Sequence, residues 1–302
     1  MVRVPAHGSV NTMIEFKDVS KRFGPQRVVD SLSFKAPSGQ VTGFLGPNGA
    51  GKSTTFRILC GLVQSDQGCA TIDGRLFTQL GLPGREIGVM LDAAAQHPGR
   101  TGHQVLCLAA MANRLPHAKV VPALERVGLA DAGNKRVGDY SLGMRQRLGL
   151  ACALIGDPHT LVLDEPANGL DPEGIRWMRT LLDTFANEGG TVLLSSHLLG
   201  EVQAIADHVV MIDKGRLVAD VDCNELLSAT GSRHLVHSPD QTALGHALDS
   251  AGLPHHSEND QFVVEADADA IARVAFEHGV LVTRLQPAEE NLESRFLALT
   301  HH

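Results

Sequence analysis

The sequence has 302 residues, of which 43% are hydrophobic and 20% are charged, and its formal net charge is −8. This length and composition predict one large globular domain with room for a smaller one, and they exclude an intrinsically disordered chain. The acidic balance argues against a nucleic-acid partner bound through a basic face, and each apolar run is shorter than the roughly 18 residues that cross a membrane.

Residues 1–12 lack apolar periodicity and the hydrophobic stretch of a secretory signal. We therefore expect a flexible leader on a soluble, cytoplasmic protein. The five cysteines are odd in number and form no C-x-x-C pair. This spacing favours free thiols in a reducing compartment over disulfides or a zinc site.

The first domain is predicted over residues 13–227, where strands alternate with helices. Helices are predicted from Ser53 through apolar residues as far as Leu62, across much of 100–156, and from the Asp171-Pro172 start signal. Alternation of this kind predicts an α/β fold with a mostly parallel sheet that is covered on both faces. The predicted strands are 14–19, 32–34 (separated from the first by a break at 21–25), 41–45, 161–163, 191–194 and 209–212.

A change of composition near Thr230 predicts a second, smaller domain over residues 228–302. Its predicted order is βαββαβ, a ferredoxin-like arrangement, followed by a last helix that carries Leu292 and Phe296. The predicted strands are 235–236, 254–257, 262–264 and 280–282, and the predicted helices are 241–251 and 268–278.

The strand at 41–45 runs into a glycine-rich segment with the pattern G-x-x-x-x-G-K-[ST], the phosphate-binding loop of nucleotide hydrolases. Its backbone N–H groups and the start of the following helix favour phosphate, Lys52 adds a charge between the β- and γ-phosphates, and the Ser53 hydroxyl ligates Mg²⁺. A purely structural turn is the alternative, which the flanking strand and helix disfavour. The loop residues are Gly46, Pro47, Asn48, Gly49, Ala50, Gly51, Lys52, Ser53 and Thr54.

A second motif follows the buried strand 161–163 as Asp164-Glu165-Pro166. Asp164 is expected beside the Mg²⁺ ion that Ser53 binds, and Glu165 is expected to polarise the attacking water. An Asp-Glu pair after a strand is usually only the end of that strand. Its position downstream of a phosphate-binding loop favours the functional interpretation.

Three further motifs occur in order at 140–147, 169–171 and 195–197. With these motifs, residues 13 to 227 resemble the ATP-binding subunits of ABC transporters. The resemblance implies a P-loop NTPase fold with a helical subdomain over about residues 93–156. It also implies ATP and Mg²⁺ as ligands, with each ATP held between two copies of the chain.

The resemblance also implies roles for individual residues. Ser141 and Gly143 would contact the γ-phosphate bound to the other copy through a hydroxyl and a backbone N–H, and Asp171 belongs to the D-loop. His197 would contact the γ-phosphate and, together with Lys52 and Glu165, would complete the catalytic groups. Taken alone, His197 would more often be an ordinary surface histidine.

The base of the nucleotide is expected to stack on Phe23, where the family keeps an aromatic residue. An isolated Phe in a loop is otherwise a packing residue. Stacking does not separate ATP from GTP, but the segment Asn134–Val137 lacks the aspartate of a guanine-reading N-K-x-D motif. ATP is therefore the expected nucleotide.

Two segments depart from the common family pattern. Where a metal-binding glutamine is usual, alignment places Asp92, with Gln96 four residues later; we favour Asp92 as the Mg²⁺ ligand over Gln96, and the third possibility is that neither binds the metal. In the signature segment, Leu142 replaces a glycine and Met144 replaces a glutamine. Both departures resemble a subset of bacterial exporters of antibiotics or multiple drugs.

The predicted function is to energise an ABC exporter as a homodimer that drives a separate integral membrane permease, at the inner face of the cell membrane. The alternative is an ABC-type ATPase that has no membrane partner and acts in translation, repair or cofactor assembly. Relatives of that second type carry long coiled-coil inserts or two fused domains, and neither feature is evident in this sequence.

Overall fold

The computed structural model describes residues 13–93, 95–197, 200, 202, 205–223, 233–258 and 261–287. The described residues up to Cys223 belong to one compact unit, and those from Arg233 onward belong to a second. Each helix in these ranges is too short or too polar to cross a lipid bilayer. The limits predicted for the leader, the two domains and the helical subdomain stay predictions.

The first unit alternates strands and helices, as the sequence predicts. Its strands are β1 (Ile14–Phe23), β2 (Gln26–Ala36), β3 (Val41–Leu45), β4 (Gln67–Ile72), β5 (Ile87–Met90), β6 (Thr160–Asp164), β7 (Thr191–Ser196), β8 (His208–Asp213) and β9 (Arg216–Asp222). Its α-helices are α1 (Lys52–Leu59), α2 (Pro83–Glu86), α3 (Gly102–Ala112), α4 (Val120–Arg126), α5 (Leu142–Leu154) and α6 (Pro172–Asn187). Single 3₁₀ turns lie at Phe77–Gln79, His117–Lys119 and Val137–Asp139.

The main sheet has six strands in the order β5-β6-β7-β3-β8-β9, all parallel except β9, which pairs antiparallel with β8. Every residue of β3 and β7 is buried, as expected for parallel strands covered on both faces. The α/β fold class predicted from the sequence is confirmed. Because β3, β6 and β7 are neighbours, Leu45, Asp164 and the Ser195-Ser196 pair come together at one edge.

A separate antiparallel sheet, in the order β2-β1-β4, precedes and follows the phosphate-loop region in sequence. The prediction of two short strands broken at residues 21–25 was wrong in extent. Lys21 pairs with Val29 and Phe23 pairs with Gln26, so that only Gly24 and Pro25 form the turn. Gly24 has a φ of 57°, which lets a two-residue turn close the hairpin.

A row of phenylalanines connects the two sheets and ends on α1. Ring centroids are 4.5 Å apart for Phe16 and Phe34, 5.1 Å for Phe34 and Phe44, and 5.7 Å for Phe44 and Phe56. These residues belong in turn to β1, β2, β3 and α1, and all are buried. Aromatic pairs of this kind contribute about 0.5–1.5 kcal/mol each beyond the area they bury, so this row helps to hold the two sheets together and α1 against β3.

Helix α1 is shorter than its apolar pattern predicts. It ends at Leu59, Gly61 follows with a φ of 68°, and Leu62 is 67% exposed. The pattern was misleading because an apolar residue beyond a left-handed glycine no longer lies on the buried face of the helix.

The second unit contains β10 (Arg233–His237), α7 (Gln241–Ser250), β11 (His255–Glu258), β12 (Gln261–Glu265), α8 (Ala268–Glu277) and β13 (Arg284–Pro287). These elements follow one another as βαββαβ, and the strands form an antiparallel sheet in the order β11-β12-β10-β13. The core of this unit consists of Val236, Leu244, Leu248, Val264 and Ile271.

The strand predicted at residues 280–282 was wrong. Gly279 has a φ of 65° and Val280 N–H donates to Ala275 O at 2.8 Å, so these residues carry the chain away from α8. The last strand begins only at Arg284. Val280 and Val282 pack against the core, which explains their apolar character. The predicted final helix lies outside the described residues.

Candidate nucleotide site

The phosphate-binding loop joins the end of β3 to the start of α1, and its glycines are required by close packing. A Cβ atom at Gly46 would lie 2.5 Å from the carbonyl oxygen of Ile212. A Cβ atom at Gly51 would lie 2.6 Å from the carbonyl oxygen of Val28. Gly51 has a φ of 108°, which is a left-handed conformation. Ala50 N–H donates to Pro47 O at 3.1 Å and closes the turn. The loop therefore holds its shape through contacts with strands β2 and β8.

Lys52 occupies the centre of this loop. Its ammonium Nζ donates to Gly46 O at 2.6 Å and to Pro47 O at 3.4 Å, and the residue is only 6% exposed. Nζ also lies 3.7 Å from the Glu165 carboxylate. Burial lowers the pKa of Lys52 below its ordinary value, while the charges of Glu165 and Asp164 act in the opposite direction. A buried ammonium that gains further anionic partners would be stabilised, so this geometry suits a phosphate.

The remaining loop residues are more open to solvent. Pro47, Asn48 and Gly49 are exposed, and Ser53 is exposed in the first turn of α1, next to the half-buried Thr54. The exposed part of the loop and the first N–H groups of α1 therefore face a region that an anion can reach.

Asp164 and Glu165 are positioned by Ser195, a residue to which sequence reasoning gave no role. The fully buried Ser195 hydroxyl donates to the Asp164 carboxylate and accepts from Glu165 N–H at 3.0 Å. Glu165 has a φ of 50°, a strained conformation for a residue that is not glycine. The pairing that brings Ser195 to Asp164 is that of the parallel strands β6 and β7, in which the two residues are in register.

His197 lies directly after β7, where its ring Nδ1 is 2.8 Å from the Glu165 Oε2 atom. The two oxygens of Glu165 therefore face different partners, with Lys52 on one side and His197 on the other. The structure thus brings together Lys52, Asp164, Glu165 and His197, four residues that are up to 145 positions apart in the sequence (197 − 52).

The signature segment forms the start of α5. Ser141 is exposed and caps this helix, since its hydroxyl accepts from Met144 N–H at 3.2 Å. Leu142 packs on the D-loop: a Cβ atom added at Gly169, whose φ is 78°, would lie 2.1 Å from Leu142 Cδ2. Gly143 lies beside the same loop: a Cβ atom added at Gly143 would lie 3.3 Å from Gly169 O.

Asp171 caps α6 by accepting from Gly174 N–H at 2.8 Å, as its sequence context predicts. This bond accounts for one of its carboxylate oxygens. The exposed side chain lies next to the D-loop residues that contact Leu142.

Three other predicted site residues lie on exposed or half-exposed loops and strand ends. Phe23 ends β1 with half of its surface exposed, and the Lys21 ammonium lies 5.5 Å from its ring centroid. Asp92 is exposed, and its backbone oxygen accepts from Ala95 N–H at 3.3 Å. The Gln96 side-chain oxygen is buried without a hydrogen-bond partner among the described residues. The nucleotide and metal roles of all three stay predictions.

Comparison with known proteins places this site in a family. The family model described as "ABC transporter" matches residues 29–168. The bacitracin transport ATP-binding protein BcrA of Bacillus licheniformis is 34% identical over 96% of this chain and 98% of its own length. The chain is an ATP-binding protein of the ABC transporter family. It is therefore an ATPase whose family couples ATP hydrolysis to transport.

Other relatives agree with this assignment. The daunorubicin/doxorubicin resistance ATP-binding protein DrrA of Streptomyces peucetius is 35% identical over 96% of this ABC protein and 92% of its own length. A solved structure of the ATP-binding subunit of an ABC transporter is 28% identical, has a TM-score of 0.65, and covers 72% of this chain and 93% of its own.

Proposed function

We propose that this ABC ATPase energises an exporter: two copies close around two ATP molecules and drive a separate integral membrane permease. The observation that carries the proposal is the linked set Lys52–Glu165–His197 at the carboxyl edge of the main sheet. It combines a phosphate-binding cation, a general base and a group that orients the base.

ATP binding begins with Lys52, which we assign to the β- and γ-phosphates. The ammonium is held by carbonyl oxygens of its own loop and by Glu165 at 3.7 Å. An incoming triphosphate offers full negative charge to this buried ammonium, where Gly46 O offers only a dipole. The phosphates would lie along Gly46–Thr54, against the exposed backbone of the loop. We assign the adenine to the exposed ring of Phe23.

The donor atoms present also fit Mg²⁺. Ser53 offers an exposed hydroxyl, and Asp164 offers a carboxylate of which one oxygen accepts from Ser195. Mg²⁺ typically takes one or two protein carboxylates together with substrate phosphates and water. Ser53, Asp164 and the exposed Asp92 would hold the ion, which would neutralise charge on the phosphate oxygens.

Hydrolysis requires a base for the attacking water, and we assign this role to Glu165. Its Oε2 atom is 2.8 Å from His197 Nδ1, so the histidine fixes the direction of the carboxylate. Ser195 fixes the backbone of the same residue through the Glu165 N–H. When Lys52 turns to phosphate, Oε1 is released and can accept the proton of the water.

The exposed start of α5 supports dimer formation. Ser141 and the first N–H groups of this 13-residue helix are at an exposed helix start, with their positive potential directed outward. We propose that they contact the γ-phosphate on a second copy, while Asp171 lies at the interface. Each ATP would then need the phosphate loop of one copy and the signature segment of the other.

The direction of transport is proposed from the relatives. Their names refer to bacitracin transport and to daunorubicin/doxorubicin resistance. Both relatives cover nearly the whole chain, including the second unit. Removal of a toxic compound from the cell is the activity that fits both names, which supports export.

The two-copy site is tested by mixing two inactive variants. Lys52→Ala removes the phosphate-binding cation, and Gly143→Asp places a negative charge in the first turn of α5. A carboxylate in the first turn stabilises the helix start, so the variant should still fold. The same carboxylate repels the γ-phosphate, so the two copies should no longer close around ATP. In a mixed dimer, the intact phosphate loop of the Gly143→Asp chain meets the intact signature segment of the Lys52→Ala chain and forms one complete site. Random mixing should restore up to about a quarter of the wild-type ATPase rate.

Gly143→Asn is the matched control, because its side chain has nearly the same size and shape as that of Asp but no charge. It should keep most of the ATPase activity. If the mixture of Lys52→Ala and Gly143→Asp stays as inactive as either variant alone, each site lies within one chain and the dimeric proposal is wrong.

Coupling to a permease is tested separately. If the adjacent reading frame encodes a protein with about six membrane spans, the two are co-expressed and purified from detergent-solubilised membranes. We expect the two proteins to co-purify and the ATPase rate to rise in the complex. An ATPase that stays in the soluble fraction, with an unchanged rate, would instead support the alternative of an ABC ATPase without a membrane partner.

A further inference from the structure

Three metal-ligand side chains converge in the helical part of the first unit, away in sequence from every motif of the nucleotide site. His103 and Cys107 lie on α3 four residues apart, and His117 lies on the 3₁₀ turn that follows. Their side-chain donor atoms all lie within 4.8 Å of one another. The spacing H-x₃-C-x₉-H did not predict a metal site from sequence.

The separations between these atoms suit one tetrahedral ion. Cys107 Sγ is 3.4 Å from His103 Nδ1 and 3.1 Å from His117 Nε2. Zinc bonds of about 2.3 Å to sulfur and about 2.0–2.1 Å to nitrogen place tetrahedral sulfur and nitrogen ligands about 3.6 Å apart. Small side-chain rotations are enough to reach that distance from the observed positions.

Hydrogen bonding alone gives a weaker account of this arrangement. The thiol can donate its one proton to one imidazole nitrogen and can accept from an N–H of the other ring, but both hydrogen bonds of sulfur are weak. A metal ion instead uses a lone pair from all three atoms at the same time. The two imidazole rings, with centroids 5.2 Å apart, leave their nitrogens directed at the same sulfur.

The backbone that carries the cluster is held in place. His103 and Cys107 face the same side of α3, because residues four apart are neighbours on a helix. The connection to His117 is fixed by Leu115 N–H, which donates to Ala110 O at 2.8 Å, and by Arg85, which donates to Asn113 O at 2.9 Å. Preorganised ligands of this kind lose little conformational entropy when an ion binds.

Charge and access also permit a cation. Lys119, the cationic residue of the same 3₁₀ turn, has its ammonium in an ion pair with Asp157, which offsets its charge. His103 and Cys107 are half-buried and His117 is exposed, so that water can reach the cluster. Three protein ligands with a fourth position open to water form a recognised zinc coordination.

We propose that His103 Nδ1, Cys107 Sγ and His117 Nε2 bind a Zn²⁺ ion, with water as the fourth ligand. Binding releases the thiol proton to solvent, because zinc binds the thiolate form of cysteine. The ion would tie α3 to the turn that leads into α4. The site is independent of ATP, since none of its ligands belongs to the nucleotide site.

Cobalt substitution tests the proposal, because Co²⁺ replaces Zn²⁺ and its thiolate bond has a characteristic absorption. The full-length reduced protein, without nucleotide, is titrated with Co²⁺ and then with Zn²⁺. We expect one equivalent of Co²⁺ to give a thiolate-to-cobalt charge-transfer band that Zn²⁺ then removes. Cys107→Ser should lose the band, and His117→Gln should weaken Co²⁺ binding at least about tenfold.

Cys69→Ser is the matched control, because Cys69 is also a half-buried free thiol but lies outside the cluster on β4. This variant should keep the band, and basal ATPase activity should be the same in Cys69→Ser and His117→Gln. Either of two results would overturn the proposal: no thiolate band in the wild-type protein, or a band that persists in Cys107→Ser. In the first case, any Co²⁺ that still binds without the band would be assigned to histidines elsewhere.

Discussion

The carboxyl edge of the main sheet and the start of α5 carry the two halves of the proposed ATP site, and they differ in where their polar groups are directed. At the sheet edge, Glu165 contacts both Lys52 and His197, and Ser195 joins Asp164 to Glu165. At the start of α5, the Ser141 hydroxyl caps its own helix and is exposed.

This difference indicates which half of the site one chain forms without a second copy. Side chains that satisfy one another hold a preorganised geometry, which is what the chemistry of hydrolysis needs. At the start of α5, Met144 N–H donates to Ser141, and the other first N–H groups, which have no acceptor within the helix, can bind an anion from outside. The contrast between the halves therefore agrees with a site that two copies complete.

The largest effect on the ATPase rate is expected from Glu165→Gln, at the carboxyl edge of the main sheet. The amide cannot accept a proton, so we expect the ATPase rate to fall about 10²- to 10⁴-fold, while ATP affinity changes only slightly. Because ATP stays uncleaved, the variant should accumulate as an ATP-bound dimer. The measurements are single-turnover hydrolysis, nucleotide binding and the molecular mass in solution with and without ATP.

Two results would break the comparison at this point. Retained turnover would remove Glu165 from the role of base. A variant that binds ATP without hydrolysis yet stays monomeric would show that the start of α5 does not contribute to a second copy's site.

A smaller effect is expected from Ser195→Ala, which acts on the same half through its neighbours. The change leaves the Glu165 N–H unpaired and frees the Asp164 carboxylate, so we expect a loss of about 1–3 kcal/mol in the free energy of unfolding. The ATPase rate or the Mg²⁺ affinity should fall about 10- to 100-fold, the usual effect of removing a residue that positions a metal ligand.

The control is Ser195→Thr, which keeps the hydroxyl and should recover most of the activity. Mg²⁺ titrations of the ATPase rate separate the two roles of Ser195. A variant with reduced stability but an unchanged Mg²⁺ dependence would make Ser195 a structural residue alone.

The smallest effect is expected at the start of α5, where Leu142 packs on Gly169. Gly169→Ala places a Cβ atom 2.1 Å from Leu142 Cδ2 at a residue whose φ is 78°. We expect the free energy of unfolding to fall by about 1–3 kcal/mol. The double variant with Leu142→Ala should recover the part that is due to the clash, with a coupling of about 0.5 kcal/mol or more.

Chemical denaturation of the wild type, the two single variants and the double variant measures this coupling. Strictly additive effects would show that Leu142 does not support the D-loop. In that case the leucine in the signature segment would have no structural explanation.

The sequence predicted the parts of the site that depend on local patterns. The loop from Gly46 to Thr54 was evident because glycine, lysine and serine are needed there at fixed spacing, and the strand before Asp164 was evident from its apolar run. Ser195 was missed because its role depends on β7 lying beside β6, which spacing along the chain does not encode. The strand at 280–282 was wrong because apolar residues that follow a helix can pack without pairing.

The sequence by itself determined the fold class and the family and predicted the residues of the phosphate loop, because these depend on residue types at short, fixed distances. The tertiary structure decided which distant residues meet: Glu165 between Lys52 and His197, Leu142 on Gly169, and His103 with Cys107 and His117. The physical reason is that hydrogen bonds and metal ligands need atoms within a few ångströms. Strand order and helix packing set those distances for residues far apart in the chain.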